Sequence, residues 1–224
     1  MLRKLTGSIG RRVDKKNFSE SKQRSRLSPE ARRMQILDSA AKMIVKQGYL
    51  PLPIEQLAQS MGISKALIYA YFPDQYALFN HLLERELSGL LTGGLDITSD
   101  VQDIEQSTVL SAMLYFEHVA RLGPLLNILL SDRYMSGHFE LRLLRTRNLI
   151  LQRLGKQAAK KLRLREHDAL AAIQMMTAIP EELGRLVFVG QLDTLIAQQL
   201  CRQMILSSMH ALRDTERALA IATL

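Results

Sequence analysis

The segment spanning residues 52–72 constrains the fold of this chain more than any other. Its first half carries apolar residues at the spacing i, i+3, i+4 and i+7, namely Ile54, Leu57, Ala58 and Met61. This spacing predicts a short helix with one apolar face. Gly62 follows, and glycine adopts the left-handed conformation that ends a helix without steric cost. Ser64 then offers a hydroxyl that can cap a second helix, so the segment predicts a helix-turn-helix.

The predicted second helix of this pair covers residues 65–71 and buries Ile68 and Phe72. The side chains left for a partner are small, basic or aromatic: Lys65, Ala66, Tyr69 and Tyr71. Small residues permit close approach to the major groove of DNA, and Lys and Tyr donate hydrogen bonds to phosphate oxygens. This helix therefore indicates a surface that binds duplex DNA.

The combined pattern resembles the tetracycline-repressor (TetR) family of bacterial transcription regulators over roughly residues 30–80. The matching residues are Gly48-Tyr49, Ile54-x-x-Leu57-Ala58-x-x-Met61-Gly62-Ile63-Ser64, Leu67-Ile68-Tyr69-x-Tyr71-Phe72 and Leu78. Three positions depart from the family pattern: Pro53 replaces a Thr, Leu67 a small or hydroxylated residue, and Gln75 a Lys. The resemblance implies an all-α protein, with an N-terminal three-helix helix-turn-helix DNA-binding domain and a larger C-terminal helical domain that binds a ligand and dimerises.

The resemblance and the helix pattern together suggest which residues contact DNA. They lie early in the first helix, at the start of the second, along the third and at the start of the fourth: Arg32, Arg33, Ile54, Ser64, Lys65, Ala66, Leu67, Tyr69, Tyr71 and Gln75. The expected partner is a double-stranded DNA operator.

Composition and charge agree with this assignment. Hydrophobic residues make up 47% of the 224 residues, which suffices for a small domain and a larger one. Good helix formers dominate and Trp is absent, as is typical of an all-helical protein. Residues 1–33 hold eleven basic and three acidic side chains and account for the whole net charge of +8. A positive field confined to the helix-turn-helix end favours nucleic acid as the partner.

The chain divides into three predicted parts. Residues 1–27 form a basic, flexible tail, residues 28–74 the DNA-binding domain, and residues 75–224 the helical effector-binding and dimerisation domain. In the last part, Pro180 is expected to interrupt a helix that starts at Glu166, and the final helix is expected to end near Arg213.

The family resemblance implies a small-molecule effector, expected to be largely apolar, between the helices of the larger domain. The candidate contacts are Met113, Tyr115, Phe116, His118, Tyr134, Arg142, Gln174, Met175 and Thr177, although methionines at helical spacing are more often core residues. Broad apolar bands near the C-terminus indicate a homodimer interface: Leu183, Leu186, Val187, Leu195, Ile196, Leu200, Met204, Ile205 and Met209. Packing within one chain is the alternative role for these bands.

Catalysis is not expected from this sequence. It has no nucleophile elbow, no phosphate-binding glycine loop and no metal-ligand spacing, so neither a cofactor nor a metal is expected. His81 and Glu84 share a helix face, but a lone pair of this kind is usually a surface contact. A single cysteine, Cys201, fits a reducing cytoplasm. No apolar run approaches the ~20 residues that span a bilayer, so the expected location is cytoplasmic and associated with the nucleoid.

The leading hypothesis is a dimeric repressor that binds a pseudo-palindromic operator and is released by its effector. The alternative is a constitutive DNA-bound adaptor that recruits a protein partner and has no effector. A third hypothesis, a helical enzyme, requires convergent ionisable side chains in a pocket. A closed cavity of several hundred cubic ångströms favours the first hypothesis. A filled domain with an exposed apolar patch favours the second.

Overall fold

The computed structural model describes residues 27–95 and 103–222, and every regular element within these ranges is helical. The helices are α1 (Pro29–Gln47), α2 (Ile54–Met61), α3 (Lys65–Tyr71), α4 (Gln75–Leu90), α5 (Ile104–Leu122), α6 (Leu125–Ser131), α7 (Leu141–Leu162), α8 (Glu166–Phe188) and α9 (Thr194–Ala222). The predicted all-α fold is confirmed. The predicted basic tail lies outside the described residues, except for Leu27.

The predicted caps that delimit the first three helices are present. The hydroxyl of Ser28 accepts a hydrogen bond from the Ala31 N–H at 3.1 Å and begins α1. Gly62 ends α2 with a φ of 64°, which places it in the left-handed region. The hydroxyl of Ser64 accepts from the Leu67 N–H at 3.2 Å and begins α3. The turn between α2 and α3 is therefore set by local sequence.

One apolar core joins the first three helices to α4 and α6. Its members include Ile44 of α1, Leu57 of α2, Ile68 of α3, Phe79 of α4 and Leu129 of α6, all at most 1% exposed. The core thus continues across the boundary predicted at residue 74. That division into domains stays a prediction, but α4 packs as part of the DNA-binding head.

A hydrogen bond ties the loop after α1 to the larger helical region. The Leu50 N–H donates to the Asp132 carboxylate at 2.8 Å, and Asp132 follows the last residue of α6. Helix α6 also contacts both α1 and α4. The head therefore rests on α6 as well as on α4.

A second core is formed by α5, α7, α8 and α9. Phe116 of α5, Ala158 of α7, Ala169 of α8 and Cys201 of α9 are at most 2% exposed in it. Helices α5 and α8 approach each other closely, because Gly184 presents no side chain to Phe116 and Val119. This cluster forms the body to which the head is attached.

The predicted interruption at Pro180 is wrong, because α8 runs continuously from Glu166 to Phe188. Proline has no N–H and cannot donate to the carbonyl of Met176, which weakens a helix interior. Here Met176, Pro180 and Leu183 are all buried, and the helix packs against α5, α7 and α9. Packing on three sides outweighs the loss of one backbone bond. The last helix also continues past Arg213, to Ala222.

The contact at Gly184 yields a stability prediction. A Cβ there would lie 2.8 Å from Val119 Cβ and 3.0 Å from the Phe116 carbonyl oxygen. Gly184→Ala should lower the free energy of unfolding by about 1–3 kcal/mol, because the tight α5–α8 contact must separate. Gly89→Ala in α4 is the matched control, since a Cβ there meets nothing within 4 Å. It should stabilise by up to about 1 kcal/mol through helix propensity. Urea unfolding of both variants checks this, and equal effects would contradict it.

Candidate functional site

Helix α3 presents the outward face that its sequence predicts. Lys65, Ala66 and Tyr69 are exposed and Tyr71 is half-buried, whereas Ile68 is 1% exposed. Ala70 is also exposed, so two small alanines lie among these larger side chains on the outward surface. The face is basic, aromatic and free of acidic residues, which suits contact with a phosphate backbone.

Lys65 is engaged by an acidic residue of α2. Its ammonium group forms an exposed ion pair with the Glu55 carboxylate and lies 5.8 Å from the centre of the Tyr69 ring. The hydrogen bond between the two groups raises the pKa of Lys65 and lowers the pKa of Glu55. A phosphate that binds Lys65 must therefore compete with Glu55.

Arg33 packs inside the head instead of pointing freely outwards. Its guanidinium lies 4.8 Å from the centre of the Phe72 ring, and Nη2 is 2.6 Å from His81 Nε2. Because a guanidinium only donates, His81 Nε2 accepts and the ring proton belongs on Nδ1, which lies 3.4 Å from a Glu84 oxygen. Arg33 therefore holds α1 to α3 and α4. Arg32, partly buried, donates to the Gln35 side chain at 2.7 Å.

Three further predicted DNA contacts, Ile54, Ser64 and Gln75, have structural roles. Ile54 is 3% exposed and belongs to the core of the head, so the expectation that its side chain meets DNA does not fit the structure. The Gln75 side-chain oxygen accepts from the Leu52 N–H at 2.9 Å and secures the loop between α1 and α2. Ser64 serves as the α3 cap, and Leu67 is half-buried beside it.

A cavity of about 440 Å³ lies among the helices of the body. Its lining comes from α4 to α9: Leu87, Leu90, Ile104, Ser107, Thr108, Ser111, Ala112, Tyr115, Leu126, Asn127, Leu130, Ser131, Leu151, Gln157, Ile173, Gln174, Met176, Thr177, Pro180, Glu181 and Ile205. A volume of this size is within the range of small-molecule sites. Leu87 and Leu90 are notable because they belong to α4, whose first half packs in the head.

The polar part of the cavity centres on Glu181 of α8. Its Oε2 accepts a hydrogen bond from the Tyr115 hydroxyl at 2.8 Å, while its Oε1 is buried and has no partner among the described residues. Burial raises the pKa of Glu181, and this outweighs the lowering by the side chains of Tyr115 and Asn127. No Lys, Arg or His side chain is among the described residues that line the cavity.

Three of the nine predicted effector contacts line this cavity, namely Tyr115, Gln174 and Thr177. The other six lie elsewhere: Met113, Phe116, His118, Tyr134, Arg142 and Met175. Phe116 is fully buried in the core of the body, and Met175 is 76% exposed. Tyr134 stacks on Tyr76, with ring centroids 4.9 Å apart, and Arg142 forms an ion pair with Glu84.

Sequence reasoning missed several polar residues that line the cavity. The usable signal was a polar stripe on α5, where Ser107, Ser111 and Tyr115 recur at i, i+4 and i+8 on one face of the helix. No comparable signal marks Asn127 or Glu181. Their position follows only from how α6 and α8 pack against α5.

A buried charged group joins α5 to α4 beside the cavity. Glu86 and His118 are 2% and 6% exposed, with His118 Nε2 3.1 Å from Glu86 Oε2. Burial alone would raise the pKa of Glu86, but His118 and Arg85 together hold it below its ordinary value. Arg85 lies 3.0 Å from Glu86 and 2.7 Å from Asp38 of α1. Charged contacts therefore run from α5 through α4 to α1.

The predicted dimer residues fall into two groups. Leu183, Ile205 and Met209 are buried within the single chain, and Leu186 and Val187 are half-buried. The others form an exposed apolar strip on α9: Leu195, Ile196, Leu200 and Met204. Only this second group offers a substantial apolar surface to a partner.

The described residues give little support for metal binding, a reactive thiol or a membrane span. No group of three or more His, Cys, Asp or Glu side chains there could hold a metal ion. Cys201 is fully buried, and burial raises its pKa to about 11, so the thiol stays protonated at neutral pH. None of the described helices is both long and apolar enough to cross a membrane.

Comparison with known proteins agrees with the geometry of the head. A family model described as "Bacterial regulatory proteins, tetR family" matches residues 36–82. The nucleoid occlusion factor SlmA of Vibrio vulnificus is 30% identical over 170 residues, which cover 70% of this chain and 84% of that protein. The transcriptional activator FasR of Mycolicibacterium smegmatis is 26% identical over 117 residues, which cover 51% of this chain and 53% of FasR.

A solved structure extends the likeness to the fold of the body. The TetR-like regulator from Rhodococcus sp. RHA1 superposes with a TM-score of 0.61 over 80% of this chain and 96% of that one, at 17% identity. The helix-turn-helix, its family match and the extent of the SlmA alignment lead to one conclusion: the chain belongs to the TetR family of bacterial regulatory proteins.

Proposed function

We propose that this TetR-family transcriptional regulator is a homodimeric repressor, which binds a pseudo-palindromic operator and is released when a small molecule fills the cavity. The observation that carries the proposal is that α4 serves both sites. Its residues Leu78 to Leu83 pack in the head, while Leu87 and Leu90 line the cavity. A ligand that moves α4 therefore moves α3 with it.

The DNA contacts proposed for each head come from the outward face of α3. Ala66 permits close approach to the groove, and Lys65, Tyr69 and Tyr71 donate to phosphates. Ser64, Leu67 and the N-terminal end of α2 complete this surface. Arg32 and the basic residues before α1 add electrostatic attraction. Two such heads would occupy successive major grooves, roughly 34 Å apart.

The dimer is proposed to form through α9. Its exposed strip from Leu195 to Met204 is apolar over several turns, and such a strip is unfavourable in water unless covered. A second copy of the same helix covers it symmetrically, with the half-buried Leu186 and Val187 of α8 beside it. Two-fold symmetry of the protein then matches the symmetry of the operator.

The proposed switch passes through the contacts between α5, α4 and α1. A ligand against Leu87 and Leu90 displaces α4, whose residues Arg85 and Glu86 contact Asp38 and His118. Movement there changes the spacing of the two heads, so the ligand-bound dimer fits the operator less well. The ligand acts only through its different affinity for the two arrangements.

A second candidate is the DNA-bound adaptor that recruits a protein partner. The name of the SlmA relatives, nucleoid occlusion factor, and the exposed apolar strip on α9 support it. The cavity favours the first candidate, because an adaptor without an effector has no need of one. The FasR relative is named an activator, so repression is itself part of the proposal. Either function fits a cytoplasmic protein associated with the nucleoid.

The direct test is to identify the DNA that the purified full-length protein retains from fragmented genomic DNA, followed by footprinting. The proposal expects protection of two half-sites about one helical turn apart, with affinity that falls steeply as salt increases. Protection of a single half-site, or retention without sequence preference, would contradict it.

Removal of the Glu55 charge should strengthen DNA binding. Glu55→Gln frees Lys65 and removes an acidic group beside the phosphates, so affinity should rise roughly threefold to tenfold at low salt and less at high salt. Glu166→Gln is the control. Glu166 is also an exposed acidic residue, but it is the first residue of α8 and does not belong to the head. Fluorescence anisotropy with the operator duplex measures both. An equal gain in both variants would reflect net charge alone and contradict the local role.

Loss of the Tyr69 hydroxyl should weaken DNA binding on all sequences alike. Tyr69→Phe keeps the ring, which is 36% exposed, but removes a phosphate donor from each half-site, so affinity should fall by about tenfold. Binding is compared on operator and scrambled duplexes, with thermal unfolding as the check on folding. Unchanged affinity in a folded variant would remove Tyr69 from the proposed interface.

A charge on the α9 strip should separate the proposed dimer. Leu195→Asp places a carboxylate in the covered interface, so the variant should be monomeric at micromolar concentration. Leu141→Asp is the matched control, because Leu141 on α7 is also 70% exposed. Sedimentation equilibrium distinguishes the two. The proposal fails if Leu195→Asp stays dimeric or if Leu141→Asp dissociates as well.

A further inference from the structure

We propose that the cavity selects ligands that carry a donating, positively charged nitrogen on an apolar body, and that Glu181 is the residue that receives the nitrogen. This inference rests on the proposed function, in which the cavity holds the effector. It adds the chemical class of that effector and the side chain that recognises it.

The first argument is the charge of the lining. Among the described residues that line the cavity, Glu181 is the only one with a carboxyl group, and none carries a basic side chain. A carboxylate or phosphate ligand would bring a second negative charge into a low-dielectric space in which none of the described lining residues supplies a compensating cation. A cationic nitrogen instead supplies the opposite charge that this carboxyl group lacks.

The second argument is an unfilled hydrogen-bonding position. Tyr115 donates to Glu181 Oε2 at 2.8 Å, and the Asn127 side chain also lowers the pKa of this carboxyl group. Oε1 itself is buried, and no described residue forms a hydrogen bond with it in normal geometry. Buried polar atoms are normally paired, so this exception requires an explanation. A ligand N–H within the cavity would provide the missing donor.

The third argument is the match between the rest of the cavity and an apolar body. Leucine, isoleucine and methionine side chains from three helices, α4, α6 and α8, line it: Leu87, Leu90, Leu126, Leu130, Ile173 and Met176. Their burial against a ligand favours binding in proportion to the apolar area removed from water. Because Leu87 and Leu90 belong to α4, the apolar part of such a ligand would contact α4 directly.

A charged donor fits this position better than a neutral one. Burial raises the pKa of Glu181, so its ionised form is less favourable in the empty cavity than it would be in water. An ammonium group stabilises the ionised form, and hydrogen bonds between charged partners are roughly twice as strong as neutral ones. An alcohol of the same length should therefore bind, but more weakly than the amine.

The test uses three probes with one apolar body: decylamine, 1-decanol and decanoate. Isothermal titration into the full-length protein at pH 7.5 should show decylamine binding at least about tenfold tighter than decanoate, with 1-decanol between them. Non-specific attraction to a protein with a net charge of +8 would favour the anionic decanoate over decylamine. Tighter binding of decylamine would therefore reflect recognition in the cavity.

Two neighbouring substitutions localise the effect. Glu181→Gln keeps an acceptor for Tyr115 but removes the charge, and it should reduce the preference for decylamine by about tenfold. Glu182→Gln makes the same change one residue later, where the side chain is exposed and paired with Arg185. It should leave the preference unchanged. Thermal unfolding verifies that both variants fold, and the comparison of the three probes on the unmodified protein needs neither variant.

The outcomes separate this inference from the proposed function. If decanoate binds as tightly as decylamine, or if Glu181→Gln keeps the preference, the inference fails while the cavity remains a ligand site. If Glu182→Gln loses the preference equally, surface charge is responsible and the inference also fails. If none of the three probes binds, both the inference and the cavity as an effector site are overturned.

Discussion

The structure depends on the burial of one helix in two places. The N-terminal half of α4 packs in the head through residues such as Phe79 and Leu82, and its C-terminal half meets the cavity through Leu87 and Leu90. Because an α-helix is stiff over this length and protein interiors are close-packed, its two ends cannot move independently. The proposed repressor function depends on this continuity, because a ligand in the cavity must affect the head through α4.

Burial also decides what each acidic residue does. Glu55 is exposed, pairs with Lys65 and modulates a surface. Glu86 is buried but meets both His118 and Arg85, so it stays ionised and joins three helices. Glu181 is half-buried, accepts a hydrogen bond from the neutral Tyr115 hydroxyl, and has one buried oxygen without a hydrogen-bond partner. Three chemically identical side chains thus have different partners because they differ in burial and in the charges beside them.

The helix-turn-helix could be predicted from sequence almost to the residue, whereas the cavity could not. Gly62 and Ser64 act within three or four positions of themselves, and so local sequence suffices to place them. Phe116 and Tyr115 are adjacent on α5, yet the first is core and the second lines the cavity, since this depends on where α8 lies. Pro180 shows the same limit, because three surrounding helices sustain α8 against its local preference.

The sequence by itself determined the helical fold, the caps, the outward face of α3 and membership of a regulatory family. These properties follow from periodicity and short-range hydrogen bonds, which a linear pattern contains. Only the tertiary structure decided that Arg33 packs on Phe72, that Glu181 has an unpaired oxygen in a cavity, and that α4 borders that cavity. The reason is physical: these features arise from residues distant in the chain, whose proximity is set by the packing of whole helices.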